Sequence, residues 1–248
     1  MFAGEEAATS EVASQVVGFT TTDTGNNQFM LGIGFEALST DVDGIKLGDL
    51  QGEFEQGDNI QELFMEWDEE SQTYLMSFRD FYYKRVSGKW GWYDEDNQSA
   101  KEKTFKPGAA VYFISAGDAK PLTQAGGVRK DTYEHPAFDE SVEMLASAFP
   151  CGFNPNADAV HFEGLDQGDN IQVQYVYHDE EVDADLLGFT DYYYKRVSGK
   201  WAWYDEDNQK VTESIVLPGQ GFYFLTDGDP SEKSLTEDSP LAPAEEVE

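Results

Sequence analysis

Tyr82 to Gln98 reads YYKRVSGKWGWYDEDNQ, and Tyr193 to Gln209 reads YYKRVSGKWAWYDEDNQ; Gly91 against Ala202 is the single difference in seventeen. The copies lie 111 residues apart, and at that offset Gln56 to Ser115 lies over Gln167 to Thr226 without a gap, 33 of 60 positions being identical. The chain therefore carries a duplicated unit. Within it, aromatic and β-branched residues run into Ser87-Gly88 and out again through Lys89, Trp90, Gly91 and Trp92, the short-range pattern of a β-hairpin. Two registers are open. A two-residue loop sets Arg85 opposite Trp90 and Tyr83 opposite Trp92, whereas a three-residue loop with a bulge at Gly88 sets Lys84 opposite Trp90 and Tyr82 opposite Trp92. Both place a cation beside an indole, and a slip of one residue exchanges the faces.

The chain of 248 residues has room for two domains of roughly 100 to 125 residues each. Strands are predicted at Gln15–Thr22, Gln28–Leu38, Gly44–Leu50, Asn59–Glu66, Thr73–Val86, Lys89–Tyr93, Ala110–Ser115 and Leu122–Val128, several of them separated by turn clusters such as Pro107-Gly108. Many short strands with frequent turns predict an all-β chain of two tandem, duplicated β-sandwich domains, jelly-roll or Ig-like in type. The expected boundaries are an acidic tail at 1–13, domains at 14–130 and 131–241, and a second acidic tail at 242–248.

In Thr73–Val86 the alternate set Tyr74, Met76, Phe78, Tyr82 and Val86, with Leu187, Phe189, Tyr193 and Val197 in the second copy, reads as the buried face. Asp80 and Asp191 interrupt that pattern and predict a bend or bulge. Met144-Leu145 and Phe149 align with Met30-Leu31 and Phe35 at offset 114, which argues for a strand at 139–147 although local propensity favours a helix. Lys233-Ser234-Leu235-Thr236 echoes Lys120-Pro121-Leu122-Thr123, so the last strand is expected to finish near Leu241.

With 49 acidic residues against 16 basic ones, the formal charge is -33. The long-range field of such a chain repels nucleic acid and anionic membranes, and no apolar run approaches the ~18 residues of a membrane span. Neither is an expected partner. Cys151 has no second cysteine to pair with, and His135, His161 and His178 lack metal-ligand spacing. No GxSxG elbow, HExxH pair or phosphate-binding glycine loop is present, and 49 acids make some close carboxylate pair inevitable; no enzyme activity is expected.

No charged, apolar leader precedes Glu5. However, the segment Gln15-Val16-Val17-Gly18-Phe19-Thr20-Thr21, a Met-Leu strand, a Gly-Asp-Asn-Ile-Gln strand start, an aromatic hairpin and a Pro-Gly-x-x-x-Tyr-Phe strand together resemble uncharacterised tandem β-domains of secreted bacterial envelope proteins. The resemblance covers nearly all of residues 15 to 241 and implies export. Its motifs are patterns of strand and turn, so it implies a fold and a location rather than a chemistry. The second copy departs from it in having no recognisable counterpart of Gly44–Leu50.

Three groups of residues are candidates for function. Asp94, Asp96 and Asn97, with Asp205, Asp207 and Asn208, could supply oxygens to Ca²⁺, as could Asp41-x-Asp43-Gly44 and Asp227-x-Asp229; a hard cation needs six to eight such oxygens, and a solvated acidic turn is the competing reading. Trp90 and Trp92, with Trp201 and Trp203, could form a flat platform for polysaccharide, although strand aromatics more often pack in a core. Lys84, Arg85 and Lys89, with Lys195, Arg196 and Lys200, place six of the sixteen basic residues around two turns, basic spots of the kind that set register between subunits. The function expected from these readings is an extracellular structural protein, a self-assembling subunit of a filament, sheath or surface layer. Its joints would use Lys84, Arg85, Lys195, Arg196 and the terminal strand around Val16 and Val17. The alternative is a carbohydrate-binding module of a secreted protein.

Overall fold

A computed structural model describes residues 16–23, 27–37, 44–69, 72–138 and 141–241. The tails 1–13 and 242–248, and the Asp41 and Asp43 candidates, lie outside the described residues. The first repeat contains β1 (Val16–Asp23), β2 (Gln28–Gly32), β3 (Ile45–Lys46), β4 (Gln51–Gly52), β5 (Asn59–Asp68), β6 (Thr73–Val86), β7 (Lys89–Tyr93), β8 (Thr104–Phe105), β9 (Ala110–Ile114) and β10 (Pro121–Val128). The second contains β11 (Tyr133–Glu134), β12 (Val142–Ala146), β13 (Val160–Glu163), β14 (Asn170–Asp179), β15 (Ala184–Val197), β16 (Lys200–Tyr204), β17 (Gly221–Leu225) and β18 (Ser234–Glu237). The protein is all-β, and its sheets are antiparallel throughout the described pairings. The duplication is visible in their order: β2-β9-β5-β6-β7 beside β1-β10-β4 in the first repeat, β12-β17-β14-β15-β16 beside β11-β18-β13 in the second. The segment expected to resist helix formation is strand β12, which pairs Met144 with Tyr223 as β2 pairs Met30 with Tyr112.

Ser87 and Gly88 both take positive φ, 50° and 84°, as do Ser198 and Gly199. A two-residue turn of this hand matches strand twist, and it selects the register with Arg85 opposite Trp90 and Tyr83 opposite Trp92. That register corrects the expected burial. Cross-strand partners share a face, so Phe81, Tyr83 and Trp92 point into the core together with Ile60, Phe113 and Leu122, while Met76 is exposed and Phe78 packs elsewhere. In the second repeat Tyr192, Tyr194 and Trp203 take the corresponding core positions and Phe189 is exposed. Both faces of the strand carry aromatics, so alternation alone could not distinguish them.

The expected bend at Asp80 and Asp191 is also absent: β6 and β15 each run unbroken for 14 residues. Asp80 Oδ1 accepts from Asn59 Nδ2 at 2.6 Å and Gln61 Nε2 at 2.9 Å, and Asp191 Oδ1 accepts from Asn170 Nδ2 and Gln172 Nε2 at 2.8 Å each. A cross-strand polar ladder thus replaces the break. Gly44–Leu50 is a two-residue strand followed by a 3-10 turn at Leu47–Asp49, and in the second repeat the Ile45–Phe105 pairing of β3 with β8 is reduced to the single bridge Phe153–Val216. The strand expected over Gln28–Leu38 stops at Gly32, and the last strand ends at Glu237 rather than Leu241.

The repeats meet through reciprocal contacts. Gly32 N–H donates to Gly219 O at 2.9 Å, and the equivalent Ala146 N–H donates to Gly108 O at 2.8 Å. Equivalent tyrosines face each other, the Tyr223 hydroxyl donating to that of Tyr112 at 3.0 Å. Met30, Ala110, Tyr112, Met144 and Ala146 form a buried cluster around them. Gly221 is needed here because a Cβ would stand 2.5 Å from that of Ala110 and 2.8 Å from Met30 Cγ.

Each repeat also buries one lysine on one aspartate. Lys120 Nζ lies 3.0 Å from Asp58 Oδ2 and 2.9 Å from Glu55 Oε1, and Lys233 Nζ lies 3.0 Å from Asp169 Oδ2 and from Asp166 Oδ2. Asp58 further accepts the N–H groups of Glu55 and Ala116, both at 2.9 Å; Asp169 accepts those of Asp166 at 2.8 Å and Asp227 at 2.7 Å. Burial works to lower the Lys120 pKa, but the hydrogen bonds and charges of Glu55 and Asp58 outweigh it and leave it raised above 10.5; Lys233 is raised in the same way by Asp169 and Asp166. A group whose folded pKa is raised contributes stability fully present below its ordinary value and lost as pH rises through the folded one. Lys120→Met or Lys233→Met strands a buried carboxylate and is expected to destabilise its repeat by about 3 to 5 kcal/mol in urea unfolding. The wild-type advantage over either variant should hold at neutral pH and fade as pH rises above about 10.4.

Candidate functional site

The two hairpin tips are the best-preserved part of the duplication, and the preserved residues are largely exposed. Arg85, Ser87, Gly88, Lys89 and Trp90 are exposed, as are Arg196, Ser198, Gly199, Lys200 and Trp201. Buried positions have meanwhile drifted: Phe81 became Tyr192, Phe105 became Val216 and Val111 became Phe222. Core packing accepts such exchanges when volume is made up elsewhere. Exposed side chains are under little packing demand, so the core does not account for identity at Arg85, Lys89, Arg196 and Lys200.

The same geometry is built twice. Trp90 is 51% exposed and stacks on Tyr83 at a centroid distance of 5.8 Å and an angle of 15°; Trp201 is 48% exposed and stacks on Tyr194 at 5.3 Å and 21°. Trp92 and Trp203, by contrast, are 3% and 2% exposed and pack against Phe54 and Phe162. The four-tryptophan platform therefore does not form: one indole of each pair is core, and one is a surface plate at the tip. On the opposite face Lys84 Nζ donates to Asp94 O at 2.9 Å and lies over Tyr82, and Lys195 Nζ donates to Asp205 O at 2.8 Å and lies over Tyr193. The cation over a ring is thus the lysine above a tyrosine. Arg85 sits beside Trp90 and Arg196 beside Trp201 as cross-strand partners, and Arg85 Nε donates to Gly88 O at 3.2 Å. Among the described residues, Arg85, Lys89, Arg196 and Lys200 make no ion pair, in a chain of 49 acids.

The acidic turns after the hairpins have a local explanation. Asp94 Oδ1 accepts the N–H of Gln98 at 2.7 Å, and Asn97 adopts φ of 61°, closing the turn. Asp205, Gln209 and Asn208 repeat this at 2.7 Å and 61°. Asp96 and Asp207 are exposed beside them, and Asp229 Oδ1 is engaged by Ser231. Among the described residues no group of three His, Cys, Asp or Glu side chains is placed to hold a metal ion. Val16 and Val17 pair through their backbones with Val128 and Gly127; their side chains lie outside the described residues.

Sequence reasoning missed a second polar cluster, in the second repeat. Buried Glu237 takes His135 Nε2 at 2.7 Å, the Ser147 hydroxyl at 2.8 Å and the Ala148 N–H at 2.9 Å. Ser147 Oγ lies 3.7 Å from Cys151 Sγ, and burial pushes the Cys151 thiol up, away from the thiolate that nucleophilic chemistry needs. By strand register Thr22 and Gln124 hold these places in the first repeat, so no repeated motif announced the cluster. No family model, curated protein or solved structure matches the chain.

If the tip indoles are surface plates and the inner ones core, Trp92→Ala and Trp203→Ala should each cost about 3 to 5 kcal/mol in urea unfolding. Trp90→Ala and Trp201→Ala should cost about 1 kcal/mol or less. Adding a chelator should leave the melting temperature unchanged, since a bound cation would raise it by mass action.

Proposed function

We propose that the protein is an extracellular structural subunit that assembles with copies of itself, the hairpin tips of one molecule docking on the acidic body of the next. The observation that carries this reading is the pair of identical, exposed tips, each with two cations that make no ion pair among the described residues beside a half-exposed indole, on a chain of formal charge -33. A flat aromatic anchor flanked by arginine is the composition that dominates protein interfaces, and the body supplies the opposite charge. Edge strand β1 offers a second contact. It runs eight residues as VVGFTTTD, uncharged before its last, with Phe19 74% exposed, and such an edge is a template for pairing.

In this reading each repeat is a β-sandwich domain, at 14–130 and 131–241, formed by its five-stranded and three-stranded sheets. Secretion to a cell surface or filament fits the acidity and the envelope-type arrangement of motifs. No helix among the described residues is long and apolar enough to cross a membrane.

The test is charge reversal at both tips, Arg85→Glu with Lys89→Glu and Arg196→Glu with Lys200→Glu, read by sedimentation velocity and negative-stain microscopy. Wild-type protein should form particles larger than the monomer in a concentration-dependent way, and the variant should remain a folded monomer with unchanged circular dichroism. Polymers formed equally by both would remove the tips from the joint, and a wild-type protein that stays monomeric at all concentrations would end the assembly reading.

A further inference from the structure

We infer that the crevice between β14 and β2 is a binding site for a neutral saccharide, separate from the assembly tips. Strand β17 pairs with β14 only at Asn170–Gln172, so the rest of that edge of β14 opens onto a crevice of about 350 Å³, within the size range of small-ligand sites. Gln174 bridges the gap, accepting from Met30 N–H at 3.1 Å and donating to Gln28 O at 3.4 Å, while Gln220 donates to Gln174 O at 2.9 Å. Backbone groups alternate between edges along a strand, so Val176, two residues on, presents its N–H and C=O on the same side as Gln174.

The chemistry of the lining selects the ligand. Among the described residues no Asp, Glu, Lys, Arg or His borders the crevice, although charged residues make up 26% of the chain. A cation finds no carboxylate there, and an anion finds no counter-charge against a net field of -33. Available instead are the rings of Tyr175, Tyr192 and Phe29, the hydroxyl of Thr190 and the amide of Gln28. Tyr175 lies flat over Gly188, where a Cβ would meet its ring at 2.6 Å. One ring face therefore rests on backbone and the other is available, the residue being 46% exposed. Tyr177, 5.9 Å away between centroids, continues the strip. Apolar ring faces beside neutral donors and acceptors match a sugar, which has apolar C–H faces and a rim of hydroxyls.

The other repeat shows what the same place looks like without this chemistry. Its crevice, between β5 and β12, is bordered by Glu62 and Glu143, and continues into a space of about 330 Å³ bordered also by Lys106 and His135. Glu62 is bound by Lys103 at 2.6 Å and by Arg79 at 3.2 Å. Glu62, Phe64, Ser77 and Arg79 there correspond to Val173, Tyr175, Gly188 and Thr190 here. Those exchanges remove the charge, add a phenol and clear the floor beneath it.

Calorimetric titration with neutral cello-, xylo-, malto- and chito-hexasaccharides, with oligogalacturonate as the charged control, tests the assignment. At least one neutral series should bind with one site per chain. Tyr175→Ala, and Gly188→Ser with the first repeat's residue, should weaken it about tenfold or more, whereas Phe64→Ala and Trp201→Ala should leave it unchanged. Tyr175 is exposed, so its loss is compatible with folding, and circular dichroism checks this. Failure of every neutral series at millimolar concentration overturns the inference, as does preference for oligogalacturonate. Binding lost in Trp201→Ala but kept in Tyr175→Ala would move the site to the tip and overturn it equally.

Discussion

The arrangement of each repeat depends on one ammonium group placed where water does not reach the carboxylate it faces. Asp58 and Asp169 are fully buried, a condition a carboxylate tolerates only with a counter-ion and filled hydrogen bonds. Lys120 and Lys233 supply the charge, and neighbouring backbone N–H groups fill the remaining positions. The pair joins the start of β5 to the start of β10, and of β14 to β18, strands that belong to different sheets. An apolar contact at that point would permit sliding; two charges with directed hydrogen bonds do not, so the five-stranded sheet meets the three-stranded one in a single register.

Much of this was legible in the sequence, for reasons that can be named. The hairpin ends, Thr73–Val86 and Lys89–Tyr93, were readable because β-branched and aromatic runs met a Ser-Gly turn. The strand at 142–146 was readable against its own helix propensity because its copy could be laid beside it. The face of β6 was not, since its two alternate sets are both aromatic and the second buries part of itself against the other repeat. The lysine pair left traces, in the repeated Gly-Asp-Asn-Ile-Gln and Lys-x-Leu-Thr strings, but nothing in either string says that they touch.

The candidate sites were legible in unequal measure. The basic tips stood out by residue type and duplication. The tryptophan platform split because residues 90 and 92 share a face that runs from the exposed turn into the core, so burial changes along it. The acidic turns were legible by residue type, but their role in closing the loops, Asp94 and Asp205 accepting the N–H groups of Gln98 and Gln209, was not. The tyrosine crevice was invisible, because it arises where β2 of one repeat approaches β14 of the other, a meeting that only the tertiary structure defines.

The reciprocal contact between the repeats has a consequence of ancestry. Gly32 to Gly219 mirrors Ala146 to Gly108, and Tyr112 meets its own counterpart Tyr223, which is the self-complementary pattern of a two-fold homodimer. A single-repeat forebear pairing in this way would have held together only above its dissociation constant. Joining two copies in one chain makes that encounter intramolecular and independent of concentration. It also ends the requirement that a substitution suit both sides at once. Thr22 and Gln124 could then stand opposite in role to His135 and Glu237, and one crevice could lose its charges while its twin kept them.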